Sequence, residues 1–320
     1  MLFFNGNIDL RNFRTRLNEL KRINPGMCSV ELFLLPRDYV LQEGLPKEGK
    51  TILSTATAQE LGKLLSRHNI RFFQAHYPWQ LRPADALGDY FRQTVQFCAQ
   101  AAETADIEHT TINHHIATKA LQGSAVFREP GFRRRLITAA ETEALFAKTI
   151  IRDERADVEL LLENNNVVGE RTPNGLTVNM IDTVAEDFAE RAGIDGICLD
   201  WGHAWTTVEY FRQQEQAENM EAVRKIYGGA PSSCRTMTAF FKKLSPRIRW
   251  LHVNDEVHAL KHLGLVPGSG RVDWNEFFSC VGTLKRDVPA TLEIAESYKP
   301  GNVGMVKKGL EFLSGAEKTG

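Results

Sequence analysis

The sequence predicts an α/β fold, a single closed (β/α)8 barrel with parallel strands, and three observations lead there. Short apolar runs alternate with amphipathic helical segments, the runs number eight, and no linker or change of composition divides the 320 residues. The strand candidates are residues 2–5 (LFFN), 28–35 (CSVELFLL), 70–76 (IRFFQAH) and 107–115 (IEHTTINHH). They continue with 158–164 (VELLLEN), 196–200 (GICLD), 248–255 (IRWLHVND) and 290–296 (ATLEIAE). Between them, residues 58–68, 89–103 and 182–193 have helical periodicity, the last with Val184, Phe188 and Ala192 on one face and Gly193 as its stop. A doubly wound open sheet fits less well, because no GxGxxG follows the first strand. One barrel domain over residues 1–320 is therefore expected.

Composition narrows the function classes. Lys plus Arg number 39 and Asp plus Glu 40, a balance that gives no electrostatic footprint for nucleic acid or an anionic membrane. The five cysteines are scattered and form no CxxC pair, so they read as reduced thiols of a cytoplasmic protein. The opening MLFFNGNIDLRNFRTR has an apolar run too short for a secretion signal, and no stretch approaches a membrane span.

In a parallel barrel, chemistry collects where the strands end. His76 ends the third candidate strand, His114 and His115 the fourth, and Glu163 the fifth. Asp200 and His203 follow the sixth in LDWGH, His252 and Asp255 lie in LHVND on the seventh, and Glu293 in TLEIAE on the eighth. Carboxylates at the ends of apolar strands are costly to bury, and several converging on one mouth repel one another. A divalent cation removes that conflict, with imidazole completing its shell; Mn²⁺, Zn²⁺, Mg²⁺, Co²⁺ and Fe²⁺ all suit such mixed ligands. Adjacent strand residues face opposite ways, so at most one of His114 and His115 faces the mouth, and His114 is taken as the substrate contact. Trp79 and Trp201 adjoin the expected site and would wall the C–H face of a sugar-like substrate.

Taken in order, QAHYP (74–78), LLLEN (160–164), LDWGHA (199–204), LHVND (251–255) with PGSGRVDW (267–274), and TLEI (291–294) resemble the xylose isomerase-like barrel superfamily. That superfamily includes sugar epimerases, dehydratases and endonuclease IV. The resemblance spans nearly the whole chain, from VELF (30–33) onward. It implies a TIM barrel in which Glu163, Asp200, His252 and Glu293 hold the metal. Glu163 and Glu293 would also move protons on opposite sides of the substrate, with His203 assisting. His76, Trp79, His114, Trp201, His203 and His262 would contact the substrate.

The reaction so implied is isomerisation or epimerisation of a sugar, sugar phosphate or related polyol, by proton abstraction to an enediolate. A dehydratase on the same scaffold and an endonuclease IV-like phosphodiesterase are the alternatives. The latter needs an Asp-x-His after the seventh strand, where this chain has only His258 and His262 in HALKHLG. The partner implied is a small sugar-like molecule, not nucleic acid; relatives are often dimers or tetramers, which makes a homo-oligomer one expectation, though the sequence itself marks no interface. Arg133–Arg135 in the long segment 116–137 read as a solvated helix start or, if the segment closes over the site, as an arginine for a substrate phosphate or carboxylate, while the stretch from Ala204 to the seventh strand lies on the catalytic side and would shape substrate choice.

Overall fold

The computed structural model describes residues 2–35, 38, 53–78, 81–115, 132–164, 193–216, 232–259, 262–297, 299 and 301–316. Eight parallel strands close on themselves in sequence order, each paired with its chain neighbours and the first with the last. They are β1 (Leu2–Asp9), β2 (Ser29–Phe33), β3 (Phe72–His76), β4 (His109–His114), β5 (Glu159–Glu163), β6 (Gly196–Asp200), β7 (Ile248–Val253) and β8 (Val288–Leu292). Eight α-helices are described around them: α1 (Phe13–Ile23), α2 (Thr55–Arg67), α3 (Asp89–Ala105), α4 (Phe132–Asp153), α5 (Trp201–Gln216), α6 (Met237–Leu244), α7 (Trp274–Val281) and α8 (Val303–Ala316). The expected (β/α)8 barrel is the fold observed. No described helix is long and apolar enough to cross a membrane. All five cysteines are free thiols.

Local chemistry sets the helix starts. The Ser54 hydroxyl accepts from Thr57 N–H before α2, and Thr236 accepts from Ala239 N–H before α6. Asp273, the aspartate of PGSGRVDW, accepts from the amides of Asn275 and Glu276 and so begins α7. The helix expected over 182–193 lies almost wholly outside the described residues; Gly193 itself has φ +65°, the left-handed conformation of a helix-ending glycine. Residues 116–131 also lie outside them, and Arg133–Arg135 fall in the first turn of α4.

Strand alternation gives the barrel two distinct layers of packing. Outward residues such as Ile8, Val30, Phe73, Ile112, Leu160, Leu199, Leu251 and Leu292 join the helices in one large core. Inside the barrel, Phe72, Leu161, Cys198 and Trp250, with Phe3 and Cys28 against them, form a separate apolar plug near the strands' amino ends. Above it lies a pinned polar tier. Trp250 Nε1–H donates to Thr291 Oγ1 (2.8 Å), whose hydroxyl donates to Asn5 Oδ1 (2.9 Å), while Asn5 Nδ2 donates to Ser29 Oγ (2.7 Å).

This polar tier explains why β1 is longer than expected. The sequence suggested only residues 2–5, because NGNID carries little apolar character. In the barrel, Asn5, Asn7 and Asp9 are buried, and Asn7–Asp9 pair in register with Glu31–Phe33.

Trp250 is both plug and donor. Replacing it with alanine should destabilise the protein by about 3–5 kcal/mol, read from the urea midpoint. At half-exposed Leu145 (49%) the same change should stay within about 0.5 kcal/mol.

Candidate metal centre

The register brings the carboxyl ends of β5 to β8 level with one another. Glu163 pairs with Cys198, two residues before Asp200; Asp200 pairs with His252; His252 pairs with Thr291, two residues before Glu293. Because strand side chains alternate, each two-residue step keeps the same face. Glu163, Asp200, His252 and Glu293 therefore all point inward. Each offers one ligand atom, and these four atoms lie within 4.8 Å of one another. Glu163, Asp200 and His252 are wholly buried; the Glu293 side chain keeps 19% exposure and opens the cluster to the mouth.

The geometry inside the cluster is unusual for ordinary ion pairs. His252 Nδ1 lies 2.8 Å from Glu293 Oε2, yet neither atom has a hydrogen-bond partner in acceptable geometry. Both atoms are buried. Three carboxylates and an imidazole nitrogen around one point form a donor set that fits a divalent cation.

Each of three members is steered by a buried neighbour. Asn113 Nδ2 donates to Glu163 Oε2. Asn254 Nδ2 donates to Asp200 Oδ2 (3.0 Å), and His203 N–H donates to Asp200 Oδ1 (2.6 Å). His252 Nε2 lies 2.8 Å from Glu31 Oε2. Gly202 is needed for the second of these contacts, since a Cβ there would stand 1.7 Å from Asn254 Oδ1.

A second group of imidazoles flanks the first. His76 Nε2 lies 3.4 Å from Glu163 Oε2 and 3.9 Å from Glu293 Oε1. His115 Nε2 lies 3.1 Å from Glu163 Oε2 and 3.3 Å from His76 Nε2. His203 is held by its Nδ1, 2.8 Å from the Asn164 carbonyl, which leaves Nε2 as the acceptor nitrogen. Its ring stands 4.4 Å from that of His262, whose Nδ1 is 2.7 Å from Glu256 Oε1.

Protons offset this concentration of negative charge. Burial opposes charge on His76, but the Glu163 carboxylate beside it lifts the imidazole to about 9. Burial, then Glu293, pushes the Asp200 carboxyl well above its usual range. Burial acts the same way on Glu163, yet His115 and His252 hold it well below. Burial and the neighbouring His262 depress His203 to about 3, so it is a neutral ring. Bound divalent charge would take over from those protons.

The structure corrects two sequence expectations and leaves one outside its reach. His114 does not face the mouth. Thr111 and Asn113 point inward, to Gln74 and Glu163, so the alternation turns His114 outward against Tyr77 and 3.9 Å from Glu143 of α4, and His115 faces the cluster. Trp201 is not a substrate wall. It opens α5 and packs on Phe241 of α6 and Phe277 of α7, within the barrel–helix core. Trp79 lies outside the described residues. His76, His203 and His262 do stand at the mouth.

Glu31, Gln74, Asn113, Asn164, Asn254 and Glu256 were missed. A signal existed for two: Gln74 and Asn254 each stand two residues from a mouth histidine on the same strand path, hence on the same face. Asp255, conspicuous in LHVND, serves the loop that follows. It accepts from the amides of Glu256, Gly268 and Val272 and from Trp274 Nε1.

A parallel barrel whose last four strands gather carboxylates and imidazole at their carboxyl ends carries a candidate site for a divalent cation. The chain belongs to the xylose isomerase-like TIM barrel family, whose model matches residues 26–315. Solved structures similar to it include 3-keto-D-glucoside 4-epimerase from E. coli, at 12% identity and TM-score 0.60, covering 98% of this chain and 100% of that one. A putative xylose isomerase from Rhodospirillum rubrum aligns at 14% identity and TM-score 0.60 over 99% of each chain. A xylose isomerase domain protein from Planctomyces limnophilus aligns at 11% identity and TM-score 0.56, covering 99% and 98%. At such identities these likenesses establish the fold. No curated protein sequence matches.

Gly202→Ala should displace Asn254 from Asp200 and cost about 1–3 kcal/mol in chemical denaturation. Gly26→Ala, where an added Cβ meets nothing within 4 Å, is the matched control and should be near neutral.

Proposed function

We propose that the chain is a divalent-metal-dependent isomerase or epimerase of a sugar, sugar phosphate or related polyol. The observation that carries this reading is the convergence of Glu163, Asp200, His252 and Glu293, four residues remote in sequence, within 4.8 Å. The similarity in fold to a 3-keto-D-glucoside epimerase and to xylose isomerase-like proteins supports the substrate class.

In this reading the four residues would hold the ion, which would supply Lewis acidity toward substrate oxygens and make an adjacent C–H more acidic. Glu163 and Glu293 approach the reacting carbon from different strands. One removes the proton to give an enediolate and the other returns it, on the opposite face for epimerisation. His203, neutral and with Nε2 free to accept, receives a hydrogen bond from a substrate hydroxyl. His76 and His262 stand at the same mouth and offer ring nitrogens to substrate oxygens where charge develops. The buried cluster keeps bulk water from the carbanion.

A second reading, a phosphodiesterase with more than one ion, draws on His76, His115 and Glu163, which also offer three ligand atoms within 4.8 Å. The ion count separates the two. Elemental analysis of the purified protein should give one equivalent for the isomerase-like centre and two or more for the other.

Recovered sugar from a reaction in D₂O should carry solvent deuterium without loss of water. Loss of water with a new ultraviolet-absorbing product would instead identify a dehydratase. Glu163→Gln and Glu293→Gln should each lower turnover by about 10²–10⁴-fold, the range of a lost proton-transfer group. A variant with wild-type exchange would remove that glutamate from the mechanism.

A further inference from the structure

Beyond the four proposed ligands, the mouth contains another carboxylate that no proton-transfer or ligand role requires. Glu31 lies on β2, which is not a sheet neighbour of β7, yet its side chain crosses the barrel interior to reach His252. Glu31 and His252 are both wholly buried. The contact is to Nε2 (2.8 Å), the ring nitrogen opposite the one that faces the ligand cluster. His252 Nδ1, on the other edge, lies 3.3 Å from Glu163 Oε1 and 2.8 Å from Glu293 Oε2.

The carboxylate is itself oriented. Gln74 Nε2 donates to Glu31 Oε2 (3.0 Å), and Gln74 Oε1 accepts from the Thr111 hydroxyl (3.0 Å). The Glu31 contact fixes the direction of the Gln74 amide, because a flipped amide would set its oxygen against the carboxylate. Register places Glu31 level with Gln74 and with Asn7, so the arrangement is built into the barrel wall. Glu31 Oε1 has no hydrogen-bond partner. A buried carboxylate so sparsely answered is poor design for stability alone. Its partners are the Gln74 amide and, closer, the His252 imidazole, both at Oε2.

We propose that Glu31 is a positioning residue: it holds His252 in the tautomer protonated at Nε2, keeps the Nδ1 lone pair aimed at Glu163 and Glu293, and thereby tightens cation binding at the mouth. This inference rests on the metal reading above. An imidazole whose outer nitrogen donates to a carboxylate is a more basic and better oriented ligand. The rival is that Glu31 is itself a ligand, since Glu31, His76 and His252 also offer atoms within 4.8 Å.

Zn²⁺ affinity and stoichiometry, measured on the full chain by competition with a chromophoric chelator, test this in wild type, Glu31→Gln and Glu31→Ala. Removal of such a partner typically weakens binding about 10–100-fold. Glu31→Ala should show that loss with the number of ions unchanged, and Glu31→Gln, nearly isosteric and still able to accept, a smaller one. Melting temperature without metal should be unchanged or raised, while the rise on adding Zn²⁺ shrinks. That split would not follow from a merely structural role.

Affinity in both variants equal to wild type overturns the proposal, as does loss of a whole equivalent in Glu31→Ala, which makes Glu31 a ligand. Should Glu31→Ala fail to fold, Glu31→Gln decides by the same affinity criterion. Failure of wild type itself to bind Zn²⁺, Mn²⁺ or Mg²⁺ would bring down the metal reading and this inference with it. Unmoved affinity in the variants beside a wild type that binds would bring down this inference alone.

Discussion

Like charges forced together at low dielectric are the constraint around which this molecule is organised. Glu163, Asp200 and Glu293 would separate if the chain allowed it, since their repulsion is far stronger at the buried mouth than in water. Parallel strand pairing does not allow it. The sheet hydrogen bonds fix the register, the register fixes the strand ends, and alternation turns all three carboxylates inward together with His252. The free energy of the closed barrel and its large core thus holds a cluster that side-chain chemistry alone would disperse.

The interior of the barrel is graded to make this possible. An apolar plug fills the amino end, a hydrogen-bonded tier of Asn5, Ser29, Trp250 and Thr291 lies over it, and amides and carboxylates take over toward the mouth. Had the plug continued upward, the ligand-bearing residues would sit on a deformable bed of methyl groups. Directional contacts of known length instead fix the supports: Gln74 on Thr111, Glu31 on Gln74, His252 against Glu31. A chain of linked polar contacts has few alternative packings, because rotating one member disturbs the next.

The same grading explains what could be read from the sequence. Strands that are apolar on both faces until a terminal Glu, Asp or His stand out, and the fold and the four clustered residues were visible for that reason. β1 was cut short because its inward residues past Phe4 are polar and do not register as strand in an apolar count. The choice between His114 and His115 turned on alternation phase, which only the inward pair Thr111 and Asn113 reveals, and those residues carry no obvious chemistry in a linear reading. Trp201 was placed by proximity to Asp200. A residue that opens a helix immediately after a strand turns with the helix, so nearness in sequence did not carry over into the mouth. Glu31 sat in plain view in VELF, but a lone strand glutamate has no partner in sequence to give it meaning.

The loop after β7 shows how acidic residues near a charged site can be kept from joining it. Asp255 accepts from three backbone amides and one indole, and Glu256 accepts from the amides of Leu263 and Gly264 beside His262. A Cβ on Gly270 would stand 2.3 Å from Asp255 Oδ1, so the PGSGR turn closes tightly over that carboxylate. Both charges are thereby answered within the loop and add little to the repulsion among Glu163, Asp200 and Glu293. What the loop delivers to the mouth is an imidazole, His262, set against the neutral ring of His203. On that side the site presents hydrogen-bonding nitrogens in place of further carboxylates.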